Sequence, residues 1–483
     1  MIHIAVSLRI LGVILMIFSL THLPVIAIAL WHQEVEVTTF LSAGMVTFTA
    51  GLLLWYLQRN ATQELRTRDG FFLVTLLWTT VGLFGALPFI FSPAISASVI
   101  DGIFESISGL TTTGATVFVG LDTMPRSILY YRQQLQFLGG MGIVVLAVAI
   151  LPLLGIGGLQ LFRSDIASFS KDTKLTPQVT QTAKILWIVY LGLNLACIIA
   201  YWAGGMSLFD AVCFAFATVS TGGFAPYDNS FIFSEPGLQL IAVLFMILGA
   251  INFSLHFLAF RYGKFLSYFK DTEVNVFLFI QLAVFIICSY VIFSQMAVLE
   301  PVRTLIEILF QLISITTTTG FTLGSFYSWP IFIAIFLTLM AILGGCSRST
   351  AGGIRVVRFI LILKQGWREI IRLIHPKGYF LLKLNQKHVT SRISDAVWGF
   401  VGLYFICFFV MMICLMLLGL DFMTAFSGVI ATITSLGPGL GDVTYNYASV
   451  DTPAKVIFAF AMLLGRLELF AILVLFTPAF WRQ

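Results

Sequence analysis

Long apolar stretches alternate with short polar links along the whole chain, and the stretches recur in a fixed order. Two apolar spans come first, at roughly 4–30 and 38–58. A three-part order then occurs four times: an apolar span, a short apolar run that ends in a glycine turn, and a second apolar span. The short runs hold about 12–15 residues, too few to cross about 30 Å of hydrocarbon as a helix. The pattern predicts two N-terminal spans followed by four similar units.

This order predicts an all-α integral membrane protein made of five parts. A pair of N-terminal transmembrane helices occupies 1–60. Four units of helix, re-entrant loop and helix follow it, at 71–160, 183–265, 274–372 and 394–480. In the third unit the second span runs from Pro330 to about Arg372, which is too long for one crossing. We therefore expect its helix to be broken.

The four glycine turns are similar to one another, and each follows a run that opens near an acidic residue. Non-helical backbone at membrane depth is tolerated only where protein or water surrounds it. Four such loops around one axis would form a ring of carbonyl oxygens that can replace the water shell of a cation. The residues alone also fit buried amphipathic helices with ordinary glycine caps. The turns read Thr-Thr-Thr-Gly-Ala (111–115), Ser-Thr-Gly-Gly-Phe (220–224), Thr-Thr-Thr-Gly-Phe (317–321) and Ser-Leu-Gly-Pro-Gly (435–439).

The composition agrees with a membrane solvent and assigns an orientation. Of 483 residues, 59% are hydrophobic and only 10% are charged, with a formal net charge of +5. The basic residues collect in a few links, which is the pattern of cytoplasmic loops and gives no support for nucleic-acid binding. The link at 59–70 is basic and the link at 31–36 is acidic, so we expect the N-terminus in the cytoplasm. The unit pattern then places the C-terminus there too.

One segment of the third unit cannot form a lipid-facing helix. It carries four glycines, three hydroxyl residues and one arginine in ten positions. The break must therefore line protein or water, either as a movable barrier under the ring or as a hinge. The segment consists of Gly344, Gly345, Cys346, Ser347, Arg348, Ser349, Thr350, Ala351, Gly352 and Gly353.

A second intramembrane charge lies in the last span. Arg466 follows Gly465 and precedes Glu468 by two residues, so the acid points elsewhere on a helix. A charge at this depth costs roughly 3 kcal/mol on insertion scales and usually faces the protein interior or water. Two interpretations stay open: a fixed positive charge beside a pore, and a structural lock.

Together these motifs resemble the Trk/Ktr/HKT superfamily of cation transporters, over the whole chain. The resemblance rests on the four turns, the run at 435–441, the segment at 344–353 and the Gly-Arg pair at 465–466. The two extra N-terminal spans are similar to those of the bacterial Trk potassium uptake group. The resemblance implies that K⁺ is the transported ion and that one pore per subunit is built from four K⁺-channel-like units with degenerate filters. It implies no organic cofactor on this chain.

The resemblance also implies site residues and partners. The ion would be coordinated next to four glycines by backbone carbonyls, the segment at 344–353 would be the gate, and Arg466 would lie under the filter. The implied partners are a second copy of the chain in a homodimer, a cytosolic nucleotide-binding regulatory subunit like TrkA, and the lipid of the bacterial inner membrane. The implied coordinating residues are Thr112, Thr113 and Gly114, Ser220, Thr221 and Gly222, Thr318, Thr319 and Gly320, and Ser435, Leu436 and Gly437.

A secondary carrier is the alternative from another class, since broken helices and midplane charges also occur there. The same-sense repeats argue against it, because such carriers commonly use inverted repeats. An enzyme is disfavoured because the sequence shows no catalytic or metal-binding constellation at helical spacing.

Overall fold

The computed structural model describes residues 3–145 and 179–482, apart from positions 62, 64, 65, 96, 297, 325, 327, 328, 379 and 386. The described chain is nearly all helical, with one small hairpin of strands Lys383–Leu384 and Lys387–His388. Its α-helices are Ile4–Leu20, His22–Trp31, Glu36–Leu57, Thr67–Gly85, Leu87–Phe91, Val99–Leu110, Arg126–Val145, Val179–Ala203, Leu208–Val219, Pro236–Ala250, Phe253–Tyr262, Ser267–Lys270, Thr272–Gln295, Pro301–Thr316, Ile331–Ala341, Val356–Ile374, Ser391–Leu417, Phe422–Ile433, Thr452–Arg466, Phe470–Leu473 and Pro478–Trp481. Short 3₁₀ turns lie at Leu121–Thr123, Gly441–Val443 and Val474–Phe476.

The N-terminal pair packs through small residues. A Cβ on Gly12 would lie 2.7 Å from the carbonyl oxygen of Gly51, and a Cβ on Gly51 would lie 2.7 Å from that of Gly12. Two helices approach this closely in a membrane because neither glycine carries a side chain. The first helix stops at Thr21, whose carbonyl accepts a hydrogen bond from Gln134 at 2.6 Å, and this bond ties the pair to the first unit.

Each of the four units contains a leading helix, a short helix, a central loop and a trailing helix, and the central loops contain the turns at 111–115, 220–224, 317–321 and 435–439. Three of the four short helices begin at side-chain caps. Ser98 and Ser207 each accept from the backbone N–H three residues on, and Asp421 accepts from Met423 and Thr424. These are standard N-terminal caps, and they satisfy donors that would otherwise be orphaned. The short helices are Val99–Leu110, Leu208–Val219, Pro301–Thr316 and Phe422–Ile433.

Three of the four trailing helices are interrupted within the described residues. In the second and fourth units the bent pairs are Pro236–Ala250 with Phe253–Tyr262 and Thr452–Arg466 with Phe470–Phe476, which bend by 101° and 107°. In the third unit the helix ends at Ala341 and resumes at Val356. Asn252 explains the first bend, since its side chain caps the new helix by accepting from the N–H of Ser254. The first trailing helix is described only to Val145, so the rest of its predicted span at 127–155 lies outside the described residues.

The links group at two ends of the bundle. At one end His3 contacts Asp69, and Asn385 contacts Asp271. At the other end the predicted acidic links meet, with Glu34 accepting from the N–H of Arg126 and Asp228 accepting from that of Gly120. Among the described residues, six helices are long and apolar enough to cross a membrane, or eight if each bent pair is one span. The molecule is therefore a multi-span, all-α membrane protein.

Candidate functional site

The four central loops meet and close a ring. A Cβ on Gly114 would lie 2.1 Å from the carbonyl oxygen of Gly222 in the second loop. The contact recurs from each loop to the next, so every loop touches two neighbours and the fourth returns to the first. No side chain larger than hydrogen fits at these glycines. In the same way, a Cβ would lie close to a carbonyl oxygen of the next loop at three further glycines: Gly223 with Thr319 at 2.0 Å, Gly320 with Leu436 at 2.0 Å and Gly437 with Thr113 at 2.5 Å.

Each short helix ends in the same backbone motif. In the first loop, the N–H of Thr112 donates to Gly109 at 3.0 Å and that of Thr113 donates to Ser108 at 2.9 Å, which is the Schellman arrangement. The left-handed residue of this motif is usually glycine, yet here it is a hydroxyl residue in all four loops. These residues are Thr112 (φ 50°), Thr221 (φ 51°), Thr318 (φ 58°) and Ser435 (φ 59°).

The register of the second loop corrects the sequence-based alignment. Thr221 adopts the conformation of Thr112, so Gly222 corresponds to Thr113 and Gly223 corresponds to Gly114. The bond from the N–H of Gly222 to Ala217, 2.8 Å and five residues back, gives the same alignment. Ser220 therefore corresponds to Thr111 and lies one position before the expected pair. The Gly-Phe dipeptide at 223–224, which recurs at 320–321, is the signal that could have revealed this register.

The ring lies between a cavity and the interrupted helix of the third unit. Residues that follow the central glycines line a cavity of about 250 Å³, with Asp228 and Asn446 among its polar residues. Residues that precede the glycines contact the segment at 344–353. Because the short helices end at the ring, the negative ends of four helix dipoles lie beside it. That arrangement favours a cation and disfavours an anion.

The segment at 344–353 forms hydrogen bonds with three of the four central loops or short helices. Gly352 donates to the hydroxyl of Thr318 at 2.7 Å, and Gly353 donates to the carbonyl of Thr434 at 3.1 Å. The hydroxyl of Thr350 donates to the carbonyl of Val219 at 2.9 Å. The strained residue Thr318 thus supplies a hydroxyl acceptor that a glycine could not.

The same segment also pairs with the bend of the second unit. Cys346 donates its N–H to Ala250 at 2.9 Å, Thr350 donates to Gly249 at 3.2 Å, and Phe253 donates to Arg348 at 3.2 Å. The first two bonds use carbonyls that the bend at 251–252 leaves unpaired within its own helix, and the third uses the N–H of Phe253. The break and the bend are therefore complementary.

A buried carboxylate holds the two ends of the segment. Glu273, 4% exposed, accepts from the N–H of Ser347 at 2.7 Å and from that of Val357 at 3.1 Å through one oxygen. Arg355 fastens the interior of the segment by donating to the carbonyl of Cys346 at 3.3 Å and to the hydroxyl of Ser349 at 3.2 Å. No motif in the sequence marks Glu273 as a ligand of this segment, because it lies in the first turn of a largely apolar helix.

Arg466 ends its helix at the level of this segment and is 5% exposed. Its Nε and Nη2 atoms have no hydrogen-bond partner among the described residues. Arg355 is close enough to repel it electrostatically. Glu468 does not pair with Arg466; it pairs with Arg358 at 2.5 Å, as its helical position implied that it would point elsewhere.

A further repeat explains the place of Arg466. In each unit the trailing helix, or in the third unit the break within it, contains Leu-Gly followed by a residue that is small in three units and arginine in the fourth. In the fourth unit a Cβ on Gly465 would lie 1.9 Å from the carbonyl oxygen of Ile433, at the end of the short helix. Arg466 is thus the one large side chain at this level of the repeat. The four sequences are Leu138-Gly139-Gly140, Leu248-Gly249-Ala250, Leu343-Gly344-Gly345 and Leu464-Gly465-Arg466.

A buried ion pair that sequence reasoning missed supports the ring on the cavity side. Arg132 donates through Nε to Glu105 at 2.8 Å, and their side chains are 1% and 0% exposed. Arg132 also donates to the carbonyl of Ala225 at 2.9 Å, and Glu105 accepts from the N–H of Val117 at 2.9 Å. The pair therefore links the first central loop to the second. Its only sequence signal is two opposite charges in apolar runs of one unit.

This geometry defines a class of protein: an all-helical membrane protein in which four similar units surround one polar ring at the centre. The comparisons with known proteins agree. The family described as "TrkH: Cation transport protein" matches residues 36–483. The chain belongs to this family.

Relatives and a solved structure cover the chain almost end to end. "Trk system potassium uptake protein TrkH" of Halomonas elongata is 48% identical over 477 residues, covering 99% of both chains. The protein of that name in Escherichia coli K12 is 42% identical over 482 residues, covering 100% of both. The crystal structure of the potassium transporter TrkH from Vibrio parahaemolyticus has a TM-score of 0.93 at 42% identity, covering 99% of this chain and 100% of that one. All three proteins are named as transport or uptake proteins, which agrees with the prediction that this chain is not an enzyme.

Removal of one partner of the buried ion pair should destabilise the fold. Glu105→Ala leaves Arg132 charged, buried and unpaired, which costs about 3–5 kcal/mol. The double variant Glu105→Leu with Arg132→Met should recover much of that loss, because apolar side chains of similar size tolerate the site. Thermal melting in detergent measures both.

The matched control is Glu300→Ala, which removes an exposed ion pair to Arg303 with an N–O distance of 3.5 Å. An exposed pair contributes about 0–1 kcal/mol, so its melting temperature should barely change. Equal shifts for Glu105→Ala and Glu300→Ala would contradict a structural role for the buried pair.

Proposed function

We propose that the chain takes up potassium across the bacterial inner membrane through one gated pore whose selective part is the ring of central loops. The observation that carries the proposal is the closed cycle of contacts between glycines and carbonyls around the four loops. A ring of carbonyl oxygens supplied by one chain suits a dehydrated monovalent cation. Potassium is proposed as the ion because the relatives are named as potassium uptake proteins.

The proposed ion ligands are backbone carbonyls at two successive positions of each loop. Backbone oxygens suit this task because their ligand field does not change with side-chain protonation. All three positions expected in the second loop shift by one place because of its register. The ligands are the carbonyls of Thr112 and Thr113, Thr221 and Gly222, Thr318 and Thr319, and Ser435 and Leu436, next to Gly114, Gly223, Gly320 and Gly437.

The proposed partners follow from the family and from a basic surface. A regulatory nucleotide-binding subunit would dock on the cytoplasmic side, and two copies of the chain would form a homodimer with separate pores. The exposed residues Lys364, Arg372 and Lys383 lie on the helix Val356–Ile374 and the hairpin after it, and Lys364 donates to the carbonyl of Lys383 at 2.9 Å. This surface joins directly to the segment at 344–353, so a docked partner could act on that segment through one helix.

Substitution of a central glycine tests the ring. Gly320→Ser places a Cβ 2.0 Å from the carbonyl of Leu436 at a φ of 86°, so the loops must separate. The permeability ratio of K⁺ to Na⁺, taken from reversal potentials, should fall about tenfold, equivalent to roughly 1.4 kcal/mol. The matched control is Gly324→Ser, since nothing lies within 4 Å of a Cβ at Gly324. An unchanged ratio in folded Gly320→Ser protein would exclude the ring as the filter.

The gate is tested at Glu273. Glu273→Gln keeps the shape of the side chain but replaces a charged acceptor by a neutral one, which weakens each hydrogen bond to the segment. Charged hydrogen bonds contribute roughly 1.5–3 kcal/mol, so flux into proteoliposomes that lack any partner should rise about tenfold. Glu369→Gln, which removes an exposed pair to Arg372, is the control. Flux at the wild-type level in folded Glu273→Gln would mean that the segment is a static hinge.

Arg466 is proposed as an electrostatic barrier below the ring. A guanidinium repels a K⁺ about 6–8 Å away by roughly 2–3 kcal/mol at an effective dielectric constant near 20, which slows permeation by one to two decades. Arg466→Ala should raise single-pore conductance, whereas Arg466→Lys keeps the charge and should change it less. Melting temperatures of the same variants are the control. A joint loss of stability and flux in both variants would instead identify a structural lock.

A further inference from the structure

The second central loop lacks a side chain that the other three possess. At the position of Gly222 the first and third loops have threonine and the fourth has leucine. In the first loop the hydroxyl of Thr113 lies 2.8 Å from that of Thr111, and in the third loop Thr319 and Thr317 repeat this pair at 2.8 Å. The second loop keeps Ser220 at the first place of the pair but has only hydrogen at the second.

A glutamine from the first unit occupies the missing volume. A Cβ on Gly222 would lie 2.5 Å from Cδ, 2.6 Å from Oε1 and 2.8 Å from Nε2 of Gln136. Nε2 donates to the carbonyl of Gly222 at 2.6 Å, and Oε1 accepts from the N–H of Phe224 at 3.1 Å. Both side-chain polar groups are thereby paired, and Gln136 is fully buried. A backbone oxygen and a backbone N–H on either side fix the orientation of the amide.

We propose that Gln136 is a specificity-determining positioning residue, which replaces the absent side chain of the second loop and fixes the carbonyl of Gly222. The inference rests on the proposed function, because it assigns Gly222 to the ring of ion ligands. A carbonyl oxygen has two lone pairs, so that of Gly222 can accept from Gln136 and still contact an ion. Gln136 thus sets the position of one of the eight proposed carbonyl ligands without touching the ion.

A neighbouring residue keeps the loop folded when Gln136 changes. Arg132 lies one turn earlier on the same helix, donates to Ala225 at 2.9 Å, and lies over the ring of Phe224 with 4.2 Å from Cζ to the ring centre. The loop is therefore held at two points, and only one of them reaches the ring position itself. Loss of Gln136 should alter selectivity more than stability.

The experiment is a double-mutant cycle between Gln136 and Gly222, with the K⁺ to Na⁺ permeability ratio as the readout. Gln136→Ala removes the donor to Gly222, and the ratio should fall about fivefold, the factor for one neutral hydrogen bond. Gly222→Thr alone inserts a side chain into volume that Gln136 fills, and should lower the ratio at least as much. The combination Gln136→Ala with Gly222→Thr recreates next to Ser220 the hydroxyl pair of the first and third loops. Its ratio should return to within about twofold of wild type.

A further variant and a control accompany the cycle. Gln136→Glu is isosteric and keeps the acceptor for Phe224, but it places a buried carboxylate oxygen without a donor against the carbonyl of Gly222, so selectivity and the melting temperature should both fall. Gln136→Ala buries no charge, so its ratio is read in protein whose melting temperature stays closer to that of wild type. The control is Gln134→Ala. Gln134 lies on the same helix but donates to the carbonyl of Thr21 instead, so the K⁺ to Na⁺ permeability ratio of this variant should equal that of wild type.

The outcomes separate this inference from the proposed function. A fall in the ratio for both single changes with recovery in the combination supports the role of Gln136. If Gln136→Ala and Gln136→Glu keep the wild-type ratio while Gly320→Ser loses it, the inference is overturned and the ring remains the filter. If none of these variants changes the ratio, the proposed filter itself fails. The inference is also overturned if the folded double variant has a K⁺ to Na⁺ permeability ratio no higher than that of the less selective single variant.

Discussion

The structure depends on one constraint: backbone polar groups at membrane depth need partners, yet the centre of the ring must keep its carbonyls free. The Schellman ends of the short helices satisfy both conditions. The N–H groups of Thr113, Gly222, Thr319 and Leu436 all turn back to a carbonyl five residues earlier. These N–H donors are thus hydrogen-bonded within each short helix and its loop. The carbonyls of the ring face the glycine of the preceding loop, and that of Gly222 also accepts from Gln136. The hydroxyl residues held at positive φ, about 1–2 kcal/mol each, are the cost of this arrangement.

The buried charges follow two different rules. Glu105 pairs with Arg132, Glu468 pairs with Arg358, and Glu273 accepts from two backbone N–H groups. Each of these groups is compensated and holds two segments together. Arg466 differs, because two of its nitrogens have no hydrogen-bond partner among the described residues. The equivalent residues of the other three units, Gly140, Ala250 and Gly345, are small. A buried charge whose burial is not offset by contacts contributes little to stability, which agrees with the electrostatic barrier proposed for Arg466.

The spans, the four turns, the broken helix and the buried arginine could be predicted from the sequence, because each leaves a local mark in hydropathy or in glycine content. The register of the second loop could not, since either Gly222 or Gly223 can adopt a positive φ and only the hydrogen bonds to Ala217 and Gln136 decide between them. The bend at 251–252 could not be predicted either. Ile251 is compatible with a straight helix and a single asparagine does not require a bend, while the carbonyls freed there pair with a segment about a hundred residues away.

That pairing determines what opening of the segment at 344–353 requires. In the closed arrangement its N–H groups and hydroxyls are bonded to Gly249, Ala250, Thr318 and Thr434, all of which are buried or nearly so. If the segment moved away into a dry interior, each separated group would lose a partner at a cost of about 1–3 kcal/mol. Water must therefore enter as the segment leaves, to supply the partners that are lost. In the proposed pore, opening of the segment and hydration of the ion path are then one event, and the same water screens the charge of Arg466.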